Sequence, residues 1–328
     1  MSTKAASTLR RALLYVPSSS TKFLEKSRGL TVDTVCYDLE DSVTPSNKAP
    51  ARSALSSFLA QPRPSSISET AVRINDVSSG FALDDLQAVL KAENLDTLVV
   101  PKVNSAADLH FVTDVIRHAL PARHLTSSSS AAAASEDTRP PLKIVALIES
   151  ARALTDLREI CAASPYLDGL IFAAEDFALD LSLSRTPSLS EFLYARSAIS
   201  TAARAFHLAS TIDLVCTSFR GDAGLKTLEE ECLGGKGLGF NGKQCIHPSQ
   251  IEVVQRIFAP EEKEVVWAMR VVIADEKADA MGRGAWTLDG KMIDLPVVGK
   301  ARAIVSRAER CGADVATVRE RWKDQEPE

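Results

Sequence analysis

What is scarce in these 328 residues narrows the field first. There are six cysteines (Cys36, Cys161, Cys216, Cys232, Cys245 and Cys311), and no two form a CxxC pair. A structural zinc site or a disulfide framework is therefore not expected, and lone cysteines in apolar runs suit a reducing compartment. No apolar run is long enough to span a bilayer, so no membrane partner is expected. Neither sign of charge dominates. The 38 basic and 43 acidic side chains leave a net charge of −5, which argues against a general nucleic-acid surface. The first strand-like run leads into "VPSSSTK", which has no glycine, so the phosphate turn of a doubly wound dinucleotide fold is missing.

What is present is a rhythm. Eight short apolar or β-branched runs recur: "ALLYVP" (12–17), "TVCYD" (34–38), "AVRIN" (71–75), "TLVVPK" (97–102), "KIVALIE" (143–149), "GLIFAAED" (169–176), "STIDLV" (210–215) and "KQCIHP" (243–248). They are continuous rather than alternating, as strands buried on both faces should be. Helical patterns such as "AADLHFVTDVIRHAL" and "EFLYARSAISTAARAFH" lie between them. Strand–helix alternation calls for parallel βαβ units. Eight units over 11–260 match a closed (β/α)8 TIM barrel, with the doubly wound sheet as the alternative.

Three segments fall outside that rhythm. Residues 1–10 are basic, Ser/Thr-bearing and free of acids, and read as a disordered lead rather than a targeting signal. The compartment is then cytoplasmic or mitochondrial. Residues 126–141, "TSSSSAAAASEDTRPP", are too polar and simple to order themselves and read as a surface insertion. Residues 261–328 form a C-terminal helical arm with a glycine-rich covering loop, surplus to the barrel.

Barrel active sites form at the C-terminal ends of the strands, and here those ends are polar. The second run carries Asp38, Glu40 and Asp41, the third Arg73 and Asn75, and the fourth Lys102. The fifth ends in Glu149, the sixth in Glu175 and Asp176, and the eighth in His247. One such residue commonly caps the next helix; six of eight strand ends point to a functional mouth. Several acids, no Cys/His cluster and one arginine suit a hard divalent cation, Mg²⁺, with carboxylate, water and substrate oxygens as ligands. Arg73 suits a substrate carboxylate or developing oxyanion charge. The residue pattern does not choose which acids hold the metal.

The ordered motifs "YDLEDSV", "VRIN", "VVPKV", "IES", "IFAAEDFALD" and "GFNGKQCIHPSQI" resemble the citrate lyase β-subunit-like family of HpcH/HpaI aldolases, from about Arg11 to the C-terminal helix. The family includes malyl-CoA and citramalyl-CoA lyases. The resemblance implies Glu149 and Asp176 as Mg²⁺ ligands. Glu175 competes with Asp176, but consecutive residues of a strand point apart. It implies Arg73 as the substrate-binding arginine, with Asp38, Glu40, Asp41 and Lys102 arranged around it. It places Tyr15, Lys22 and Lys26, with the backbone at Ile246 and His247, against a coenzyme A moiety. Where similar chains often have glycine after "VP", this one has Ser18. Asp294, in "GKMIDLP", resembles a catalytic aspartate that the arm lends to a neighbouring subunit, which implies a homo-oligomer, a trimer or a multiple of one.

The expected activity is Mg²⁺-dependent, reversible cleavage of a β-hydroxyacyl-CoA to acetyl-CoA and a 2-oxoacid, with Arg73 facing the enolate and Asp294 acting as acid/base. The alternatives are a CoA-independent 2-oxoacid aldolase and a non-catalytic barrel subunit.

Overall fold

The computed structural model describes residues 8–120 and 140–328. The lead up to residue 7, and the insertion up to residue 139, lie outside the described residues. The chain separates into two compact units, Met1–Gln255 and Arg256–Glu328.

The first unit is a closed barrel of eight parallel strands, β1 Ala12–Pro17, β2 Val32–Asp38, β3 Ile67–Arg73, β4 Thr97–Val100, β5 Lys143–Ile148, β6 Leu167–Phe172, β7 Ser210–Asp213 and β8 Gly242–Cys245. Helices connect successive strands, and β1 pairs with β8 to close the ring. Both faces of the strands are buried. Leu14, Val35, Val72, Leu98 and Leu170, at 1% exposure or less, alternate with the interior side chains and belong to the opposite face. That is why the runs read as continuously apolar.

The interior is layered. Its middle is apolar, built from Leu13, Cys36, Ala71, Val99, Val145, Leu147, Ile171 and Ile212. Its floor is ionic. Arg10 donates to both carboxylate oxygens of Glu69 at 2.7 Å, to Asp168 at 2.6 Å and to Ser210 at 2.9 Å. Thr34 and Thr97 donate to the same Glu69. Gly242 makes room for this layer: a Cβ there would stand 1.9 Å from the Arg10 carbonyl oxygen. Arg10 is expected in the disordered lead; instead it is buried at 3% exposure, because two strand hydroxyls, Ser210 and Thr97, and two acids converge on its guanidinium.

Several strand ends also differ from the sequence reading, two of them by enough to move charged residues. β3 begins at Ile67, four residues before the expected start. β6 stops at Phe172, and Glu175 and Asp176 sit in the first turn of the helix Ala174–Leu181.

The second unit has its own core. The helix Glu262–Ala280, the helix Leu295–Arg310 and an antiparallel hairpin, β9 Trp286–Leu288 and β10 Lys291–Ile293, pack Ala268, Val271, Ala274, Trp286, Leu288, Ile293 and Val298 together. The segment expected as a loop is this hairpin. Asp289 and Gly290, both at positive φ, form the tight turn that suits a two-residue connection. No helix among the described residues is long and apolar enough to cross a membrane.

Candidate active site

The mouth of the barrel is organised around Arg73, the last residue of β3. Its guanidinium donates to Asp38, the last residue of β2, through two bonds of 2.7 and 2.8 Å. The register Asp38↔Arg73 sets them side by side. Nη1 lies 2.9 Å from Glu40 Oε2 and 3.5 Å from Asp41. Burial pushes the Asp38 carboxyl up, but the Arg73 bonds and charge, with the amides of Ser42 and Glu40, outweigh it and hold the group below the usual carboxylate range. Glu40 is pushed up to about 7, because burial outweighs the attraction of Arg73 and Lys102. Lys102, two residues past β4, reaches Glu40 at 2.6 Å and Asp41 at 3.4 Å.

The acid-rich loop is held from below. Lys48 is buried and donates to the carbonyls of Leu39 and Glu40 at 2.8 and 2.7 Å. Arg52, one turn further along the helix Lys48–Leu59, pairs with Asp84 and Asp85. Asn75 does not serve the mouth: its side chain joins the Leu39 carbonyl to Asp85.

Glu149 follows β5 directly and is buried at 5% exposure. Its carboxylate accepts the Lys102 backbone N–H at 3.2 Å, and no ion pair reaches it among the described residues. Burial first, then the charges of Glu40 and Asp176, push it up to about 8. Asp176 lines a cavity of about 430 Å³, which Tyr15, Asp38, Asp41, Arg73, Glu175 and Gln244 also line. The next residue, Phe177, is locked edge-to-face against Phe172 and Phe192, which fixes the helix turn that carries Asp176. Glu175 lines the cavity too, and pairs with Arg185. The two acids are consecutive on a helix rather than at the end of a strand.

Tyr15 points into the mouth. Its ring faces the Arg73 guanidinium, 4.7 Å away, and its hydroxyl donates to Gln244 at 3.0 Å. A second cavity of about 580 Å³ adjoins, lined by Tyr15, Phe23, Lys26, Leu30, Ile246 and His247. Lys22 lies one turn before Lys26 on the helix Thr21–Ser27 and is exposed. The His247 ring stacks on Phe219 and caps the turn at Ser249, a structural use of the side chain. The amides of Ile246 and His247 both donate to the Gln250 side chain, and the His247 carbonyl accepts the Gln250 backbone N–H at 3.0 Å. Gln244 and Gln250 are not singled out by the sequence; neither titrates, and Gln244 finds its partners in Tyr15, Phe172 and Asp213, and Gln250 its amide's acceptor in Cys216, all far along the chain. Asp294, in the second unit, caps the helix Leu295–Arg310 by accepting the Val297 N–H at 3.2 Å.

An eight-stranded barrel with carboxylates, a guanidinium and a lysine gathered at its C-terminal mouth defines the aldolase and lyase class of TIM-barrel enzymes. The chain belongs to the HpcH/HpaI aldolase/citrate lyase family, whose model matches residues 11–248. It is 33% identical over 308 residues to the human mitochondrial citramalyl-CoA lyase, covering 91% of this chain and 85% of that one. It is 36% identical over 305 residues to the citrate lyase β subunit of Haemophilus influenzae, covering 92% and 97%. Among solved structures, the CitE protein of Mycobacterium tuberculosis, in complex with magnesium, acetoacetate and coenzyme A, superposes with a TM-score of 0.69 at 29% identity, covering 92% and 98%. The chain is thus an enzyme of the carbon–carbon lyase kind.

Proposed function

We propose that the enzyme cleaves a β-hydroxyacyl-CoA of the citramalyl-CoA or malyl-CoA type to acetyl-CoA and a 2-oxoacid, reversibly, with Mg²⁺ held by Glu149 and Asp176. The observation that carries this reading is that Arg73 and Asp176 line one cavity while Glu149, buried without a cation, feels the charge of both. Two carboxylates offering only oxygen fit a hard cation that keeps waters and substrate oxygens. When bound, Mg²⁺ supplies Lewis-acid polarisation to the oxygens of the 2-oxoacid half.

The chain's own residues do the rest. The substrate hydroxyl gives up its proton to solvent, from which Asp294 draws the proton it later delivers; the C–C bond breaks, the hydroxyl-bearing carbon becomes the ketone of the 2-oxoacid, and the electron pair passes to the thioester enolate. Arg73, clamped by Asp38, is already oriented and costs no reorganisation as that charge develops. Asp294, as an acid, returns a proton to the carbon that becomes the acetyl methyl group. The second cavity, lined by Lys26 and by exposed Phe23 and Ile246, suits the phosphates and the apolar arm of coenzyme A, with exposed Lys22 one turn earlier on the same helix. Met292 and Leu295, 67% and 77% exposed on either side of Asp294, suit contact with another copy of the chain.

The test is a coupled assay with citramalyl-CoA and malyl-CoA. Purified protein with Mg²⁺ should release acetyl-CoA, and Glu149→Ala or EDTA should abolish it. Full activity in EDTA would remove the metal from the scheme. Cleavage of 4-hydroxy-2-oxoacids, indifferent to Lys22→Ala, would favour the CoA-free aldolase.

A further inference from the structure

Gln244 is buried in the wall of the mouth and has every hydrogen-bonding atom engaged. Its amide nitrogen donates to the carbonyls of Phe172 at 2.9 Å and Asp213 at 3.1 Å. The β6–β7 ladder ends at Ile171–Ile212, one residue short of both carbonyls, so the side chain takes over where backbone pairing stops. That fixes the amide's orientation, since turning it over would set Oε1 against two carbonyl oxygens. Oε1 must therefore face the Tyr15 hydroxyl, and that hydroxyl must donate. Its proton is spent on Gln244 and is not free for a ligand. What Tyr15 offers the cavity is the face of its ring, 4.7 Å from the Arg73 guanidinium.

Arg73 needs such a support. Asp38, Glu40 and Asp41 all draw it by charge, and Asp38 alone grips it through two bonds. An edge clamp leaves the guanidinium free to tilt about the line of those bonds. A ring against its face removes that freedom and adds cation–π attraction.

We infer that Gln244 and Tyr15 are positioning residues for Arg73: Gln244 fixes the phenol, and the phenol face fixes the guanidinium. This rests on Arg73 being the group that meets the substrate's developing charge. It reassigns Tyr15 from a contact of coenzyme A to a support beneath the reacting centre.

The experiment is a double-mutant cycle on the full chain with Mg²⁺ and citramalyl-CoA, each variant first checked by thermal melting. Tyr15→Phe keeps the ring but loses its bond to Gln244, so it should lower kcat about as much as Gln244→Leu does, while Tyr15→Leu, which also loses the ring, should lower kcat further, by roughly 3- to 30-fold, the span of a cation–π contact, with KM little changed. Gln244→Leu should also lower kcat, and its effect should shrink in the Tyr15→Leu background. Added guanidinium should restore activity to Arg73→Ala and do so less well when Tyr15 is also Leu. Equal losses for Tyr15→Phe and Tyr15→Leu, or strictly additive effects of the 15 and 244 changes, would overturn the inference. Full activity in Arg73→Ala would instead overturn the role given to Arg73 itself. Should Gln244→Leu fail to fold, the comparison of Tyr15→Phe with Tyr15→Leu decides the matter alone.

Discussion

Lys102 holds the site together through two different parts of itself. Its backbone lies at φ 49°, a left-handed conformation that disfavours any side chain beyond glycine. The conformation aims the N–H at Glu149 while the ammonium reaches Glu40 and Asp41. Burial lowers the ammonium's proton affinity, but the bond to Glu40 and the surrounding carboxylates raise it further, so Lys102 stays charged across the working range. Strain of this kind costs on the order of 1 kcal/mol and persists where the surroundings over-determine it. Two substitutions separate the parts. Lys102→Ala and Lys102→Gly both lose the ammonium, and both should lower activity. Only Lys102→Gly relieves the backbone, so it should be the more stable of the two by about 1 kcal/mol in urea titration. The opposite order would show that position 102 is not left-handed in solution.

At the scale of elements, the floor of the barrel is the least legible feature of the sequence. β3 was read from Ala71 because "ISET" before it carries a glutamate, and a charged residue inside a strand breaks an apolar run. Glu69 is nevertheless buried, and its partner Arg10 stands 59 positions away, outside any local pattern. The eight strands were legible because both of their faces are apolar. β6 was read too long because "AAED" continues the run without a break, whereas the chain turns into a helix after Phe172. At the mouth, the acids, Arg73 and Lys102 were legible as charge at strand ends. Gln244 and Gln250 were not, since an amide shows its use only when its partners are in place. The floor makes a prediction about acid. Burial pushes the Glu69 carboxyl up, but the charge and bonds of Arg10 and the hydroxyls of Thr97 and Thr34 hold it below its ordinary value of 4.5. Its contribution to stability is thus fully present above that value and is lost as pH falls through the lower folded-state value. Between pH 6 and 3 the urea midpoint of the parent should fall more steeply than that of Glu69→Gln, which starts lower by roughly 3 kcal/mol. Parallel curves would mean that Glu69 does not couple the floor to pH.

At the scale of the whole molecule, the proposed chemistry divides between two units, with Glu149, Asp176 and Arg73 in the first and Asp294 in the second. A carboxylate used as acid must come within hydrogen-bond reach of the carbon it serves. In this chain Asp294 spends one oxygen on its helix cap, and the residues beside it, Met292 and Leu295, are left exposed. If that aspartate serves the barrel of another copy, two inactive variants must complement each other. Glu149→Ala retains a working arm and Asp294→Asn retains a working barrel. Mixed in equal amounts and allowed to exchange subunits, a closed ring with head-to-tail contacts would contain both good parts at about a quarter of its sites. Each variant alone would contain them at none. Acetyl-CoA release by the mixture at about a quarter of the parental rate therefore assigns Asp294 to the neighbour. A mixture as inactive as its components, with subunit exchange confirmed by differently tagged copies, would confine each Asp294 to its own barrel.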